Sequence, residues 1–361
     1  MTRPVLARID LKALQRNLAR VKQLAPGSKV MAIVKADAYG HGLQITCDAL
    51  NDTDSFGMLD LADAISLRNS GITVPICLLE GFFSADEIPQ IARYKLEPVI
   101  HSSWQLEMLQ GIQQEFNLSV WLKIDTGMHR LGFEPAEFKQ LEARLSGLKC
   151  VQQVSVMSHL ANADSQENAS TADQLRRFQQ ATSETRCLRS LANSAAIVAH
   201  PDCHFDCVRP GIMLYGSSPF AEKTAAALDL SAVMSLQSEI ISIKHLRKGD
   251  AVGYGSTWIC PEDMRVAVVA CGYGDGYPRH APAGTPVMVA GKHTELIGRV
   301  SMDMITVDLR GIDDAETGSP VELWGRDVAV DTVAEMSGTI AYELLCGVTA
   351  RVKRQEVTWL R

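Results

Sequence analysis

From about residue 30 to residue 215 the chain repeats one pattern: a short apolar run, a polar turn, then an amphipathic stretch. The apolar runs fall at 30–34, 56–59, 75–79, 98–100, 118–124, 151–157, 188–191 and 205–208. Between them, segments such as 62–69, 103–115, 135–145 and 171–183 carry apolar residues at helical spacing. Eight strands separated by helices predict the α/β class and a closed parallel (β/α)8 TIM-like barrel. An open doubly wound sheet would need fewer strands and a glycine-rich first turn, which the sequence lacks.

After about residue 230 the texture changes. Strand-like runs at 231–244, 251–254, 265–271, 286–290, 296–309 and 320–323 are broken by Gly, Pro and Asp, with few helices between them. This predicts a C-terminal, mainly antiparallel β domain. The expected division is a barrel over 10–229 and a β domain over 230–361, with residues 1–9 packing on the latter. Residues 217–230 are the expected link.

Composition narrows the class without naming a reaction. A chain of 361 residues is too long for one small core. Its 46% hydrophobic content is well above that of disordered chains. Lys plus Arg number 35 against 42 Asp plus Glu, and this net charge of −7 argues against nucleic acid or an anionic membrane as partner. No apolar run approaches the roughly 18 residues of a membrane span, and the first residues lack a signal-peptide h-region. Nine scattered cysteines, an odd number, read as reduced thiols and hence a cytoplasmic location.

Five segments carry the local chemistry of the barrel. In AIVKADAYGHG (32–42), Lys35 stands where the first barrel strand ends, the edge at which barrel enzymes gather catalytic groups. A desolvated amine there can form a Schiff base with a carbonyl ligand, although a solvated lysine fits the spacing equally well. In LKIDTGMHRLGF (122–133), Lys123, Asp125 and Arg130 follow another strand, and Arg130 suits a carboxylate or phenolate clamp or a structural ion pair. SHLANAD (158–164) places His159 after a third strand. In LANSAA (191–196), Ser194 opens a helix, either as a phosphate ligand or as a plain cap. VRPGIMLYG (208–216) holds Arg209 at a strand end and Gly211, where backbone can approach a ligand.

The β domain adds VGYGSTW (252–258), GYGDGYPR (272–279), RVSMDM (299–304) and AYELLC (341–346). Two apparent motifs fail. His200, Cys203, His204 and Cys207 lack a second metal-binding half, so no metal site is expected. The stretch from Gly284 to Lys292 lacks P-loop spacing.

In this order the motifs closely resemble the bacterial alanine racemase family, over nearly the whole chain from Ile9 to Tyr342. The resemblance implies a pyridoxal 5'-phosphate (PLP) enzyme acting on alanine, for peptidoglycan supply or catabolism, as a homodimer whose subunits share active sites. It implies that Lys35 bonds to PLP and serves as one base, and that Tyr254, from the other subunit, is the second. Tyr39, Ser194, Gly211, Ile212 and Tyr342 match the phosphate cradle. Arg209 matches the residue facing the pyridine nitrogen, and His159 its hydrogen-bonded neighbour. Arg130 matches the group beside the cofactor's phenolic oxygen and the substrate carboxylate. Met302 matches the backbone donor to that carboxylate, with Asp303 holding its segment. Tyr273, Arg279 and Arg299 match the substrate entryway. Lys123 matches a lysine that the family can carbamylate. Ser301 replaces a frequent Cys, and His129 a frequent Gly or Asn. The alternative reading is a PLP-dependent racemase of another amino acid such as serine.

Overall fold

The computed structural model describes residues 3–165 and 168–358. The first strand, β1 (Leu6–Asp10), does not enter the barrel. Asp10 ends it and caps the helix Leu11–Leu24, its carboxylate accepting from the backbone N–H groups of Lys12 and Ala13. That helix buries Ala13, Leu14, Leu18 and Val21. The buried Asn17 amide donates to the carbonyls of Leu214 (3.0 Å) and Ser231 (2.8 Å), tying the barrel's end to the β domain's start.

The barrel strands are β2 (Lys29–Ile33), β3 (Ser55–Met58), β4 (Ile76–Leu78), β5 (Leu96–Ile100), β6 (Leu118–Lys123), β7 (Val151–Met157), β8 (Arg189–Ser190) and β9 (Cys207–Val208). Each pairs in parallel with the next, and β9 pairs with β2 to close the ring. The runs read as strands because parallel strands covered on both faces are continuously apolar. The last two, of two residues each, are shorter than their apolar runs. The helix expected over 103–115 stops at Gly111, and Ile112 takes an extended conformation.

The second domain holds β10 (Met234–Leu246), β11 (Ala251–Val252), β12 (Trp258–Ile259), β13 (Met264–Val269), β14 (Pro286–Val289), β15 (Lys292–Ile297), β16 (Ile305–Asp308), β17 (Pro320–Trp324) and β18 (Lys353–Val357). The long β10 pairs antiparallel with β1 and β17 at its start. Past a bulge between Ile240 and Ser242 it pairs with β13, so that β13, β16, β15, β14, β17 and β10 form a closed ring of pairings. The N-terminal β1 lies between β10 and β18, parallel to β18.

One expected strand is corrected. The apolar run 296–309 is two strands, β15 and β16, separated by a loop over 298–304. Met302 and Met304 imitated strand residues but are exposed. The short helices Val330–Met336 and Ala341–Cys346 and the strand β18 also follow the last expected run.

Candidate active site

The strand β2 delivers Lys35 to the barrel's C-terminal mouth. The chain then makes an unusual turn: Ala36, Asp37, Ala38 and Tyr39 have φ of 54, 53, 53 and 52°, the left-handed region. Gly40 follows at φ 78°, and a Cβ there would lie 2.0 Å from the Leu345 carbonyl oxygen. This turn swings Tyr39 into the interior, stacked on Tyr215 at 4.7 Å between centroids and 6.0 Å from Tyr342. Burial, then the neighbouring Tyr342, pushes the Tyr39 hydroxyl well above the usual tyrosine range, so it stays protonated as a donor.

Around it lies a small cradle. Ser194 is the first residue of the helix Ser194–Ala199, and the cap is Asn193, whose side chain accepts from Ala196 N–H. The capping duty falls to Asn193, which leaves the Ser194 hydroxyl to accept from Gly211 N–H at 2.9 Å. Gly211 precedes the 3-10 turn Ile212–Tyr215. A Cβ on Gly211 would lie 2.5 Å from the Tyr39 hydroxyl, so only glycine leaves this corner open.

Arg209 is 5% exposed at the end of β9. Its guanidinium donates to Ser190 Oγ at 2.5 Å, to the carbonyls of Ser158 and Leu191, and to His159 Nδ1 at 3.4 Å. Because Nδ1 accepts, the His159 proton sits on Nε2. Burial, then the charges of Arg209, Lys123, Arg130 and Lys35, holds His159 well below its ordinary pKa, so the ring is neutral.

Asp125 shapes the loop after β6. Burial opposes its charge, but one carboxylate oxygen accepts from the N–H groups of Gly127, Met128 and His129, which holds its carboxyl below the usual range. His129 adopts φ 56°, the conformation that favours Gly or Asn, with its ring 3.5 Å from the Asp125 carboxylate. The loop closes through Asp125 N–H to the Phe133 carbonyl and Phe133 N–H to that of Lys123, leaving Arg130 exposed. Burial, then Arg209 and Arg130, pushes the Lys123 amine down to about 8.

Lys35, Lys123, Arg130 and Arg209 therefore share one mouth. Among the described residues, no carboxylate lies within ion-pair distance of any of them. Gathered cations without counter-charge, beside a donor cradle kept open by Gly211, suit a ligand bearing a phosphate and a phenolate, with a further cation left for a substrate carboxylate. The residues present thus fit PLP.

The remaining predicted residues lie apart from this cluster, on the β domain. Tyr254 is 69% exposed in the turn between β11 and β12, where Gly253 and Gly255 pack against Arg299. Tyr273 N–H donates to the Ser301 carbonyl and Gly274 N–H to that of Met302, joining the 272–276 and 298–304 loops. Met302 is 52% exposed, and Arg279 and Arg299 are exposed as well. Among the described residues, no hydrogen bond, ion pair or ring contact joins Tyr254 to the barrel cluster.

Sequence reasoning missed the supports of this site. Gln174, buried on the helix Ser170–Ala181, donates to the His159 carbonyl (2.9 Å) and accepts from Ala161 N–H (2.9 Å). Asp275, fully buried, accepts from Arg3 at 2.7 Å and from Gly272 N–H at 3.0 Å, while Arg351 binds Asp303 at 2.6 Å. His41 and Tyr215 stood inside quoted motifs without a role. Their signal was burial, which a sequence does not display.

Comparison with known proteins places the chain. Residues 9–219 match the family model described as "Alanine racemase, N-terminal domain", and residues 233–356 that of the C-terminal domain. The alanine racemase of Nitrosospira multiformis is 50% identical over 355 residues, 98% of this chain and 99% of that protein. The catabolic alanine racemase of Klebsiella aerogenes is 47% identical over 353 residues, 98% of this chain and 99% of that one. The crystal structure of the biosynthetic alanine racemase from Pseudomonas aeruginosa superposes with a TM-score of 0.95 at 45% identity, covering 99% of this chain and 100% of that one.

Proposed function

The chain belongs to the alanine racemase family, isomerases that interconvert the enantiomers of alanine, and we propose that it does so with PLP between two bases, Lys35 and Tyr254 of the partner subunit. The observation that carries this reading is the cradle of Tyr39, Ser194 and Gly211 beside Lys35 at one uncompensated cationic mouth. Ser194, the backbone of Gly211 and Ile212, and the hydroxyls of Tyr39 and Tyr342 would hold the cofactor phosphate. When bound, PLP supplies the electron sink that acidifies the substrate's α-carbon.

The chain's own residues do the rest. Racemisation needs a proton acceptor and donor on each face of a planar carbon. The Lys35 amine serves the face of the D-alanine proton, and the Tyr254 hydroxyl serves the face of the L-alanine proton. An ordinary tyrosine ionises near ~10, so a phenolate at Tyr254 would need positive charge nearby, and Arg209, linked through His159, is the candidate guanidinium. Arg209 would meet the ring nitrogen. A guanidinium donates and cannot accept, so Arg209 would disfavour a proton on that nitrogen and so restrain side reactions. Arg130 and the Met302 N–H would hold the substrate carboxylate, with Asp303 fixing the Met302 segment. Lys123, its amine pushed down to about 8, is close enough to neutral to take up carbon dioxide as a carbamate, releasing a proton. Tyr273, Arg279 and Arg299 would line the entryway.

The dimer is part of the same proposal. Tyr254, Met302, Met304, Tyr273 and Ile259 are exposed large apolar residues on the β domain. Such exposure suits a protein interface. A cytoplasmic setting is proposed from nine free cysteines, and no helix among the described residues is long and apolar enough to cross a membrane.

Purified protein incubated with PLP should absorb in the visible, lose that band on borohydride reduction, and carry the label at Lys35. Chiral analysis should show alanine of either hand converging on the racemate. A protein that takes up no PLP overturns the reading, and faster racemisation of serine than of alanine replaces the substrate.

A further inference from the structure

The left-handed turn after Lys35 is costly and is not built from glycine. A non-glycine residue in this region brings its Cβ too close to the following carbonyl oxygen. Ala36, Asp37, Ala38 and Tyr39 occupy it in succession. Strain of that kind persists only where the surroundings over-determine it. The Asp37 carboxylate accepts from Leu43 N–H at 2.8 Å and pairs with Arg354 at 3.1 Å. Arg354 also donates to the Gly40 carbonyl at 2.7 Å. These contacts hold the outer side of the turn.

The inner side depends on one residue. His41 is 0% exposed, and its Nδ1 lies 3.0 Å from the Ala38 carbonyl oxygen and 2.8 Å from that of Tyr39. Both partners are acceptors, so Nδ1 carries the proton and donates to both. The ring also packs on Tyr215 at 4.6 Å. Tyr215 in turn stacks on Tyr39 and donates its hydroxyl to the Ile33 carbonyl at 2.8 Å, on the strand that ends at Lys35. His41 thus fixes the carbonyls of the turn and braces the ring against which Tyr39 lies.

We propose that His41 is a positioning residue for the cofactor site: its Nδ1–H, donated to the Ala38 and Tyr39 carbonyls, holds the left-handed turn that aims Lys35 and the Tyr39 hydroxyl. It touches neither cofactor nor substrate. The proposal rests on the reading of Lys35 and Tyr39 as PLP ligands. If wild-type protein takes up no PLP, that reading fails; if it does, the variants below test His41 separately.

His41→Asn keeps a side-chain N–H near the position of Nδ1, whereas His41→Leu keeps bulk and removes the donor. Apoprotein of each is titrated with PLP by visible absorbance, and the circular dichroism of the cofactor band reports its orientation. Thermal unfolding of the apoproteins separates global stability from the site. His41→Leu should weaken PLP binding at least tenfold and reduce the visible dichroism. His41→Asn should restore affinity to within about threefold of wild type. Wild-type affinity and dichroism in His41→Leu, with only a lower melting temperature, would make His41 merely structural and overturn the proposal. If His41→Leu does not fold, the test passes to His41→Asn and His41→Gln. Asn should bind PLP more tightly than Gln, whose longer arm misplaces the donor, and equal affinities overturn the proposal.

Discussion

Gly211→Ala is the sharpest test of the cradle, because one methyl group meets one hydroxyl. The added Cβ would stand 2.5 Å from the Tyr39 hydroxyl oxygen and 3.3 Å from the Cζ that bears it. An unstrained contact needs roughly 3.5 Å, so the tyrosine must retreat by about 1 Å. It has little room: Tyr39 is 7% exposed and stacked on Tyr215 at 4.7 Å. Overpacking of this kind costs about 1–3 kcal/mol. If the cost falls on the bound state, PLP affinity drops roughly 5- to 150-fold. Titration of apoprotein by visible absorbance reads this directly. Tyr39→Phe removes the clashing atom, so Gly211→Ala should cost less in that background, with a coupling of about 1 kcal/mol or more. Wild-type affinity in Gly211→Ala, or strict additivity in the double variant, would refute the placement of Tyr39 and Gly211 in one phosphate cradle.

Tyr254→Phe should slow racemisation at least ~100-fold in both directions. It should abolish α-proton exchange starting from L-alanine and spare that from D-alanine, and equal loss from both counts against the assignment of faces. Asp275→Asn removes the buried charge that Arg3 and Arg351 meet. Because Asp275 locks the loops bearing Tyr273 and Met302, KM for alanine should rise several-fold while PLP affinity stays constant; the reverse pattern sinks this reading. Acid should destabilise the fold through His41, whose burial pushes it down to about 4 from the usual 6.5. The unfolded chain takes up this proton near pH 6.5 and the native chain only near pH 4. Stability is therefore full above pH 6.5 and falls by roughly 3 kcal/mol across that window. Denaturant melts of wild type and His41→Asn should diverge there, and parallel pH profiles would contradict the placement of the ring.

The barrel was legible because its physics is repetitive. Buried parallel strands must be apolar on both faces, and the run 151–157 is the strand Val151–Met157 itself. Where tertiary pairing replaces pattern, the sequence is silent. Lys353–Val357 reads KRQEV, with no apolar periodicity, and becomes a strand because β1 offers it an edge. The loop 298–304 failed in the opposite sense: Val300, Met302 and Met304 mimic a strand. Backbone donation from Tyr273 and Gly274 to the carbonyls of Ser301 and Met302 binds that loop to its neighbour instead. The same division runs through the site. Lys35, Arg209 and Ser194 stand at strand and helix ends, where sequence motifs point. Gln174, Asp275 and His41 act through contacts made only once distant segments pack, and Ala36–Ala38 carry nothing that announces a left-handed turn.

Those packed contacts also bear on the proposed dimer, in which one β domain would serve two active sites. Its helix Ala341–Cys346 lies against the Lys35 turn of its own chain, with Tyr342 beside Tyr39 and the Leu345 carbonyl against Gly40. Arg354 adds an ion pair to Asp37 and a hydrogen bond to Gly40 from the same domain. Within one chain, then, the β domain braces the turn that follows Lys35. Its Tyr254 and Met302 remain exposed and untethered to that mouth. Were Tyr254 the second base, as proposed, a second copy would bring it a mouth together with apolar surface to cover the exposed side chains. The cationic mouth fits the same arrangement. On a chain of net charge −7, Lys35, Arg130 and Arg209 gathered without a paired carboxylate among the described residues suit an anionic ligand.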